Sequence, residues 1–225
     1  QTGNIELNVR ELIMTDGARI NNEGPGQSGN VTIVATESVA VTNQAKIRMS
    51  TDSGPGGVLE ISAPTITMDQ GILQTLTVRS GDAGAITLTA DNVMLTGSQI
   101  NSQTEQGLGR GGDVTINATN KISLSGQFAG SETDVAGPAG IFTTTVGLGA
   151  EAGHVAVKAR TVELAEGAKI DSSTFGAGNA GSITVKTDAL LLASGGRLSS
   201  SSAIGPSGAV PAGSAGTITV QGLAS

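Results

Sequence analysis

The sequence predicts an all-β protein, a single-stranded parallel β-helix (β-solenoid) of about seven to eight three-strand coils of about 28 residues each. Three observations predict it. A glycine-led phrase recurs at nearly constant spacing, the residues within each repeat alternate between apolar and polar, and the 225-residue chain contains 34 Gly but only three Phe and no Trp, Tyr or Cys. Alternation with period two indicates strands. A core without bulky aromatics suits stacked Val, Ile, Leu and Ala.

The recurring phrase opens each coil. It reads GNIELNV, GNVTIVA, GVLEISA, GAITLTA, GDVTINA, GHVAVKA, GSITVKT and GTITVQG, and begins at Gly3, Gly29, Gly57, Gly84, Gly112, Gly153, Gly181 and Gly216. The spacings are 26, 28, 27, 28, 41, 28 and 35 residues, which fits a solenoid repeat. We therefore expect one domain over residues 1–225, with insertions at about 126–138 in coil five and 205–213 in coil seven.

Each coil divides into three strands and the corners between them. Dipeptides that end in glycine, such as Asp16-Gly17 and Glu166-Gly167, mark one corner, where glycine supplies the positive φ of a sharp turn. In the third strand a polar residue occupies an inward position, and because buried hydroxyls and amides need partners, we expect a hydrogen-bonded ladder between equivalent residues of adjacent coils. Its members are Asn22, Ser102, Thr143, Ser172 and Ser200.

The glycine-rich stretch before a coil three times reads GxGxxG, at 24–29, 107–112 and 176–181. A dinucleotide site needs a helix after this motif, and here a strand is predicted each time. The formal charge of −7 and the scattered Lys and Arg side chains argue against nucleic acid. No apolar run is long enough to insert into a membrane.

The carboxylates leave two alternatives to a structural role. Polysaccharide lyases and glycosidases built on β-helices need paired carboxyls, for which Glu163 and Glu166 are the residues to test. A weak calcium site in a glycine-rich loop can instead use Asp52, Asp82, Glu132 or Asp134 and would suit a calcium-assisted carbohydrate-binding module. We expect no enzyme activity, no catalytic residue and no cofactor or structural metal.

The three phenylalanines are candidates for a contact with a partner. Phe128 lies in the coil-five insertion, Phe142 is predicted to point outward, and Phe175 follows at the end of the next third strand. Exposed aromatics on one side of coils five and six would form a contact patch, together with Glu132 and Asp134 of the insertion. The simpler alternative is that each ring covers a loop.

The consensus GxITVxAxxLxLxxGAxIxSSTxGxGxAG, almost intact over 154–181, resembles the repeat regions of filamentous-haemagglutinin-like exoproteins of two-partner secretion. The resemblance covers nearly the whole chain and implies a right-handed parallel β-helix. It also implies export through an outer-membrane pore, a location outside the cell or on the surface of a Gram-negative-type bacterium, and adhesion or matrix building. The secretion-domain motifs NPNG and NPNL are absent from this sequence.

Both ends of the sequence stand at nearly the same phase of the repeat. Two interpretations remain open: the chain is a piece of a longer shaft, or copies stack head to tail as a filament. An extracellular glycan or protein is the expected ligand in either case.

Overall fold

The computed structural model describes residues 2–131, 134–146, 150–203 and 213–223. These residues form a β-solenoid of about seven coils, as the repeat predicts. The part of the chain that is described contains no helix, and so none that could cross a bilayer. The strands are β1 (Ile5–Met14), β2 (Arg19–Gly24), β3 (Val31–Thr42), β4 (Lys46–Ser53), β5 (Leu59–Ser62), β6 (Thr65–Asp69), β7 (Ile72–Ser80), β8 (Ile86–Thr96), β9 (Gln99–Thr104), β10 (Val114–Ser125), β11 (Gln127–Phe128), β12 (Gly137–Pro138), β13 (Gly140–Thr145), β14 (Val155–Lys158), β15 (Thr161–Leu164), β16 (Lys169–Thr174), β17 (Ile183–Lys186), β18 (Ala189–Leu192), β19 (Arg197–Ser202) and β20 (Ile218–Gln221).

The coils present three faces. The first face contains β5, β14, β17, β20 and the first halves of β1, β3, β8 and β10, whereas the second face contains β6, β15, β18 and the second halves of those four long strands. The third face is a seven-stranded sheet of β2, β4, β7, β9, β13, β16 and β19. Pairing between coils is parallel and in register on all three faces.

The first corner differs from the expectation of three separate strands. In coils one, two, four and five a single strand runs across it from the first face to the second. The pairing shifts register there, between Val9 and Glu11 for example, which is the mark of a β-bulge. A bulge bends the strand while the ladder continues on both sides, so the corner needs no break in the strand.

The second corner has the left-handed backbone that the glycine pairs predict. Both residues of Asp16-Gly17 and of Glu166-Gly167 have positive φ, between 53° and 79°. Coil two makes the same turn without glycine, through Asn43 and Gln44. Asparagine adopts this conformation more readily than most residues, because its short polar side chain can bond to the nearby backbone. Gln44 takes the position that Gly17 and Gly167 have in their turns.

The glycine that opens each coil is required by close packing between coils. A Cβ on Gly181 would lie 2.0 Å from the carbonyl oxygen of Gly153, and one on Gly112 would lie 2.1 Å from that of Gly84. The glycine-rich stretches that resemble a nucleotide fingerprint end at such glycines, and a strand follows each of them. Their function is therefore to let two backbones meet.

The core is a set of apolar columns that run along the rod. Ile47, Leu73, Ile100, Ile141 and Ile170 form one column of the third face, and each is fully buried. Similar columns of Val, Ile, Leu and Met line the inside of the other two faces. Burial of such side chains in every coil is the main source of stability in a fold with almost no aromatic core.

The predicted polar ladder is present, but most of its hydrogen bonds go to the backbone. Ser172 Oγ donates to the carbonyl of Gly153 at 2.8 Å and accepts from the N–H of Gly181 at 2.9 Å. Only Thr75 and Ser102 bond directly to each other, at 3.0 Å. The hydroxyls reach the backbone because the coil-opening glycines have no side chain. Equivalent positions, in coil order, hold Asn22, Met49, Thr75, Ser102, Thr143, Ser172 and Ser200.

A second polar column, which the sequence reading missed, lies two residues further along the third strand. It holds Thr51, Thr77, Thr104, Thr145 and Thr174, all buried. Their hydroxyls donate to carbonyls of the glycine-rich corner, as Thr104 does to Arg110 at 3.0 Å. The two columns together fasten the third strand to the start of the following coil.

Candidate functional site

The coil-five insertion folds against the third face of the rod. Its hairpin pairs β11 with β12 in antiparallel fashion, and the backbone of Gln127 and Ala129 bonds to the amide side chain of Gln70, at 3.0 and 2.8 Å. Gln70 belongs to coil three, and Gln99 of coil four donates to the carbonyl of Pro138 at 3.1 Å. The insertion therefore runs back along the rod from the coil that contributes it.

A buried ion pair fixes the far end of the insertion to coil two. Lys46 Nζ lies 2.5 Å from Asp134 Oδ2, and the two side chains are 4% and 14% exposed. Ser131 Oγ donates to the same carboxylate oxygen at 2.6 Å. Asp134, a predicted partner contact, is thus engaged within the chain. Glu132, predicted alongside it, lies outside the described residues, as does most of the second insertion at 205–213.

The three phenylalanines do not form one exposed patch. Phe128 is 1% exposed, so the expectation of an exposed ring in the insertion is wrong. Ile72, an outward residue of the third face, is also 1% exposed. A buried ring within the insertion agrees with the alternative in which the ring packs under a loop. Phe142 is half-buried, and Phe175 is 37% exposed at the corner after β16.

Phe142 lines a cleft of about 220 Å³ on the third face. Its register partners on either side are Asn101 and Asp171, and Lys169 Nζ lies 5.4 Å from the centre of its ring. The same ammonium group contacts Asp171 at 3.1 Å. The remaining lining is polar apart from one proline and contains Gln99, Ser102, Gln103, Pro138 and Thr144.

This arrangement suits a polar, uncharged ligand. Amide and hydroxyl groups of Asn101, Gln103 and Thr144 can donate and accept hydrogen bonds, while the ring of Phe142 supplies an apolar surface. Because Lys169 and Asp171 neutralise each other, the cleft has little net charge. Sugar hydroxyls and ring C–H groups match such a surface.

Three of the four carboxylates considered for calcium lie in the described residues, and each has a partner within the chain. Asp52 pairs with Arg79 at 3.2 Å, and Asp82 accepts from the N–H of Arg110 at 2.8 Å. Among the described residues no group of three or more His, Cys, Asp or Glu side chains could hold a metal ion. A calcium ion at Asp52 would compete with the Arg79 guanidinium.

The carboxylates considered for catalysis are placed separately. Glu163 points outward on the second face and pairs with Lys121 at 2.7 Å, whereas Glu166 occupies the second corner with a positive φ of 53°. The two are not stacked on adjacent coils as a pair of equivalent carboxyls would be. Glu163 and Glu166 therefore do not form the stacked pair of carboxyls considered for glycoside hydrolysis.

Two basic residues lie side by side on the first face, although the sequence reading described the Lys and Arg side chains as scattered. Lys158 and Lys186 are register partners on β14 and β17. They are 28 residues apart, so only alignment of the repeats could have shown that they are neighbours.

Comparison of the chain with protein-family models, with curated proteins and with solved structures finds no match.

Proposed function

We propose that the chain is a structural and adhesive β-helical shaft of a secreted cell-surface or extracellular filament protein, and that it is not an enzyme. The observation that carries the proposal is the continuous stacking of coils. Strands on all three faces pair in register through seven coils, and the middle coils bury their inward Val, Ile and Leu side chains. A rod held by backbone ladders along its whole length suits a load-bearing spacer.

The insertion supports the same function. It belongs to coil five, yet it contacts coils two, three and four through Lys46, Gln70 and Gln99. Gln127 also donates to the carbonyl of Glu166 in coil six, at 3.3 Å. We call the insertion, residues 126–138, the brace. Because it contacts five successive coils, its own included, it opposes their separation. The Phe142 cleft, beside the brace, is the surface on which an extracellular glycan would be held.

The repeat consensus supports a filamentous-haemagglutinin-like origin for this shaft. Export through an outer-membrane pore partner and a location at the surface of a Gram-negative-type bacterium are parts of the proposal that rest on this resemblance. A detection of the native chain outside the cell, lost when the pore partner is deleted, would support them. Retention inside the cell in the wild type would contradict them.

Head-to-tail association of copies is the proposed route to a filament. Inward positions that are buried in the middle coils are exposed towards one end of the described rod, where Leu192 of coil seven is 45% and Val220 of coil eight is 49% exposed. Contact with the first coil of another copy would remove this apolar surface from water. The strand edges at the same ends offer backbone groups for pairing.

The test is electron microscopy with sedimentation at rising protein concentration. We expect rods of uniform width that lengthen end to end, and we expect V220K to block the lengthening, because the ammonium group would lie in the contact. V34K is the matched control, since Val34 is 40% exposed on the side of the rod. Wild-type rods that remain monomeric at all concentrations would exclude self-assembly, and particles without a rod shape would exclude the shaft.

The same preparation tests whether the protein is an enzyme. Acidic and neutral polysaccharides are incubated with the wild type and with the double variant E163Q/E166Q. We expect no cleavage by either protein. Cleavage by the wild type that the double variant lacks would overturn the structural proposal in favour of a carbohydrate-active enzyme.

A further inference from the structure

Most Lys and Arg side chains of this protein form ion pairs, but three that form none lie close together. Seven of the twelve Lys and Arg side chains, all in the described ranges, lie within 4.0 Å of a carboxylate. The other five are Arg19, Lys158, Arg160, Lys186 and Arg197. Three of these, Lys158, Arg160 and Lys186, are close neighbours in coils six and seven, and we call them the basic cluster.

The basic cluster is formed by register. Lys158 and Lys186 end β14 and β17 opposite each other, and adjacent strands are about 4.8 Å apart. Both are exposed, as is Arg160 two residues after Lys158. Like charges directly opposite on neighbouring strands are destabilising. The nearest carboxylate in sequence, Asp188, accepts from the N–H of Leu223 at 3.4 Å.

The fold does not require lysine at these positions. The same outward position in the preceding coils is occupied by uncharged residues, namely Asn8, Val34, Ser62, Thr89 and Asn117. Packing therefore does not determine which residue type occupies this outward position. Two stacked lysines in a chain of net charge −7 call for an anion that offsets their repulsion.

Two grooves meet at the lysine pair. One, of about 240 Å³, is lined by both lysines with Asn117, Ala156 and Thr184. The other, of about 380 Å³, is lined by the same lysines with Gln221, Gly222 and Leu223. Hydroxyl and amide groups thus flank the two ammonium groups on each side. An extended ligand could lie along the rod through both grooves and meet one cation per strand.

We infer that the basic cluster binds a linear acidic polysaccharide, whose carboxylate or sulfate groups pair with Lys158 and Lys186 while its hydroxyls bond to Thr184, Asn117 and Gln221. Successive charged sugars along such a chain recur at a spacing comparable to that between strands. The lysine pair lies on the first face and the Phe142 cleft on the third, so the inference goes beyond the proposed function and adds a second contact, for an acidic glycan.

Other polyanions fit the cluster less well. The described part of this face carries no aromatic residue on which bases could stack, as they do in proteins that bind single strands. An anionic membrane is recognised by clusters of four to eight cations, and this cluster has three. A short stretch of an acidic glycan needs fewer contacts and uses the hydroxyl partners.

Binding to polygalacturonate, dextran sulfate, uncharged dextran and a single-stranded oligonucleotide tests the inference at two salt concentrations. We expect binding to at least one of the two acidic polysaccharides, weakened by salt, and none to uncharged dextran. Preference between them distinguishes carboxylate from sulfate as the recognised group. K158Q/K186Q should weaken binding about tenfold or more, since each cation near an anionic surface contributes on the order of 1 kcal/mol.

The matched control is R19Q/R197Q. It also removes two exposed cations that form no ion pair, but at opposite ends of the third face, and should change affinity less than about twofold. Equal losses in both variants would show a net-charge effect and overturn the site. Absence of binding to both acidic polysaccharides, or tighter binding to the oligonucleotide, would also overturn it. Rods of normal shape in these experiments would mean that the proposal of a structural shaft still holds even when the glycan site fails.

Discussion

Replacement of Ser172 by alanine tests how adjacent coils are fastened together. Ser172 is buried in coil six, and its hydroxyl bridges the carbonyl of Gly153, at 2.8 Å, and the N–H of Gly181, at 2.9 Å. In S172A the carbonyl keeps a bond from Thr143 at 2.8 Å. The buried N–H of Gly181 loses its partner.

The expected cost follows from this asymmetry. A buried donor without a partner destabilises a protein by about 1–3 kcal/mol, which corresponds to a fall of roughly 2–12 °C in the melting temperature of a domain of this size. S172T is the conservative control, because Thr75 and Thr143 occupy the same column in other coils, and it should retain most of the stability.

Thermal melting and amide hydrogen exchange measure the two parts of this prediction. The amide of Gly181 should exchange faster in S172A than in the wild type, and S172T should restore its protection. If S172A melts with the wild type and the Gly181 amide keeps its protection, the hydroxyl is not the bridge between coils, and the reasoning on both polar columns fails.

Three further predictions concern packing. G153A should lower the free energy of unfolding by about 1–3 kcal/mol, because its Cβ would lie 2.1 Å from a carbonyl oxygen of the preceding coil, while G3A, whose Cβ meets nothing within 4 Å, should not; equal melting temperatures would contradict this. F128A should cost about 3–5 kcal/mol if the buried ring packs as a core residue does, and F175A less than about 1 kcal/mol, as measured by urea unfolding; equal effects would refute the difference in burial. K46M leaves the carboxylate of the insertion without its buried cation, so protease should cut the insertion faster than in wild type, and an unchanged cleavage rate would show that the ion pair does not hold the brace.

The repeat made most of the fold predictable. Period-two alternation and a nearly constant spacing of glycines specify which residues face inward. Each coil of a solenoid contacts mainly the coils before and after it, so the local pattern determines most of the packing. The corner at Asp16-Gly17 and the inward column through Ser172 were both predicted on these grounds. The partners of that column were not predicted, because they are backbone groups of the glycines that open the same coil and the next one, which are distant from the third strand along the chain.

The candidate sites were less predictable, since they depend on contacts that break the repeat. Phe128 looked exposed in a loop, but the insertion folds back and buries it. The Lys46–Asp134 pair joins residues 88 positions apart, and no local pattern connects them. Lys158 and Lys186 became neighbours through coil register, which the periodicity contained but the scattered appearance of the basic residues concealed.

The sequence by itself determined the coil length, the three faces of the coils, the inward columns and the glycine corners, because each depends on a residue's own backbone preference or on its phase in the repeat. Only the tertiary structure decided where the coil-five insertion lies, which phenylalanine is buried, and which cations lack a carboxylate. Those outcomes arise from side chains brought together across several coils, where distance along the chain no longer indicates distance in space.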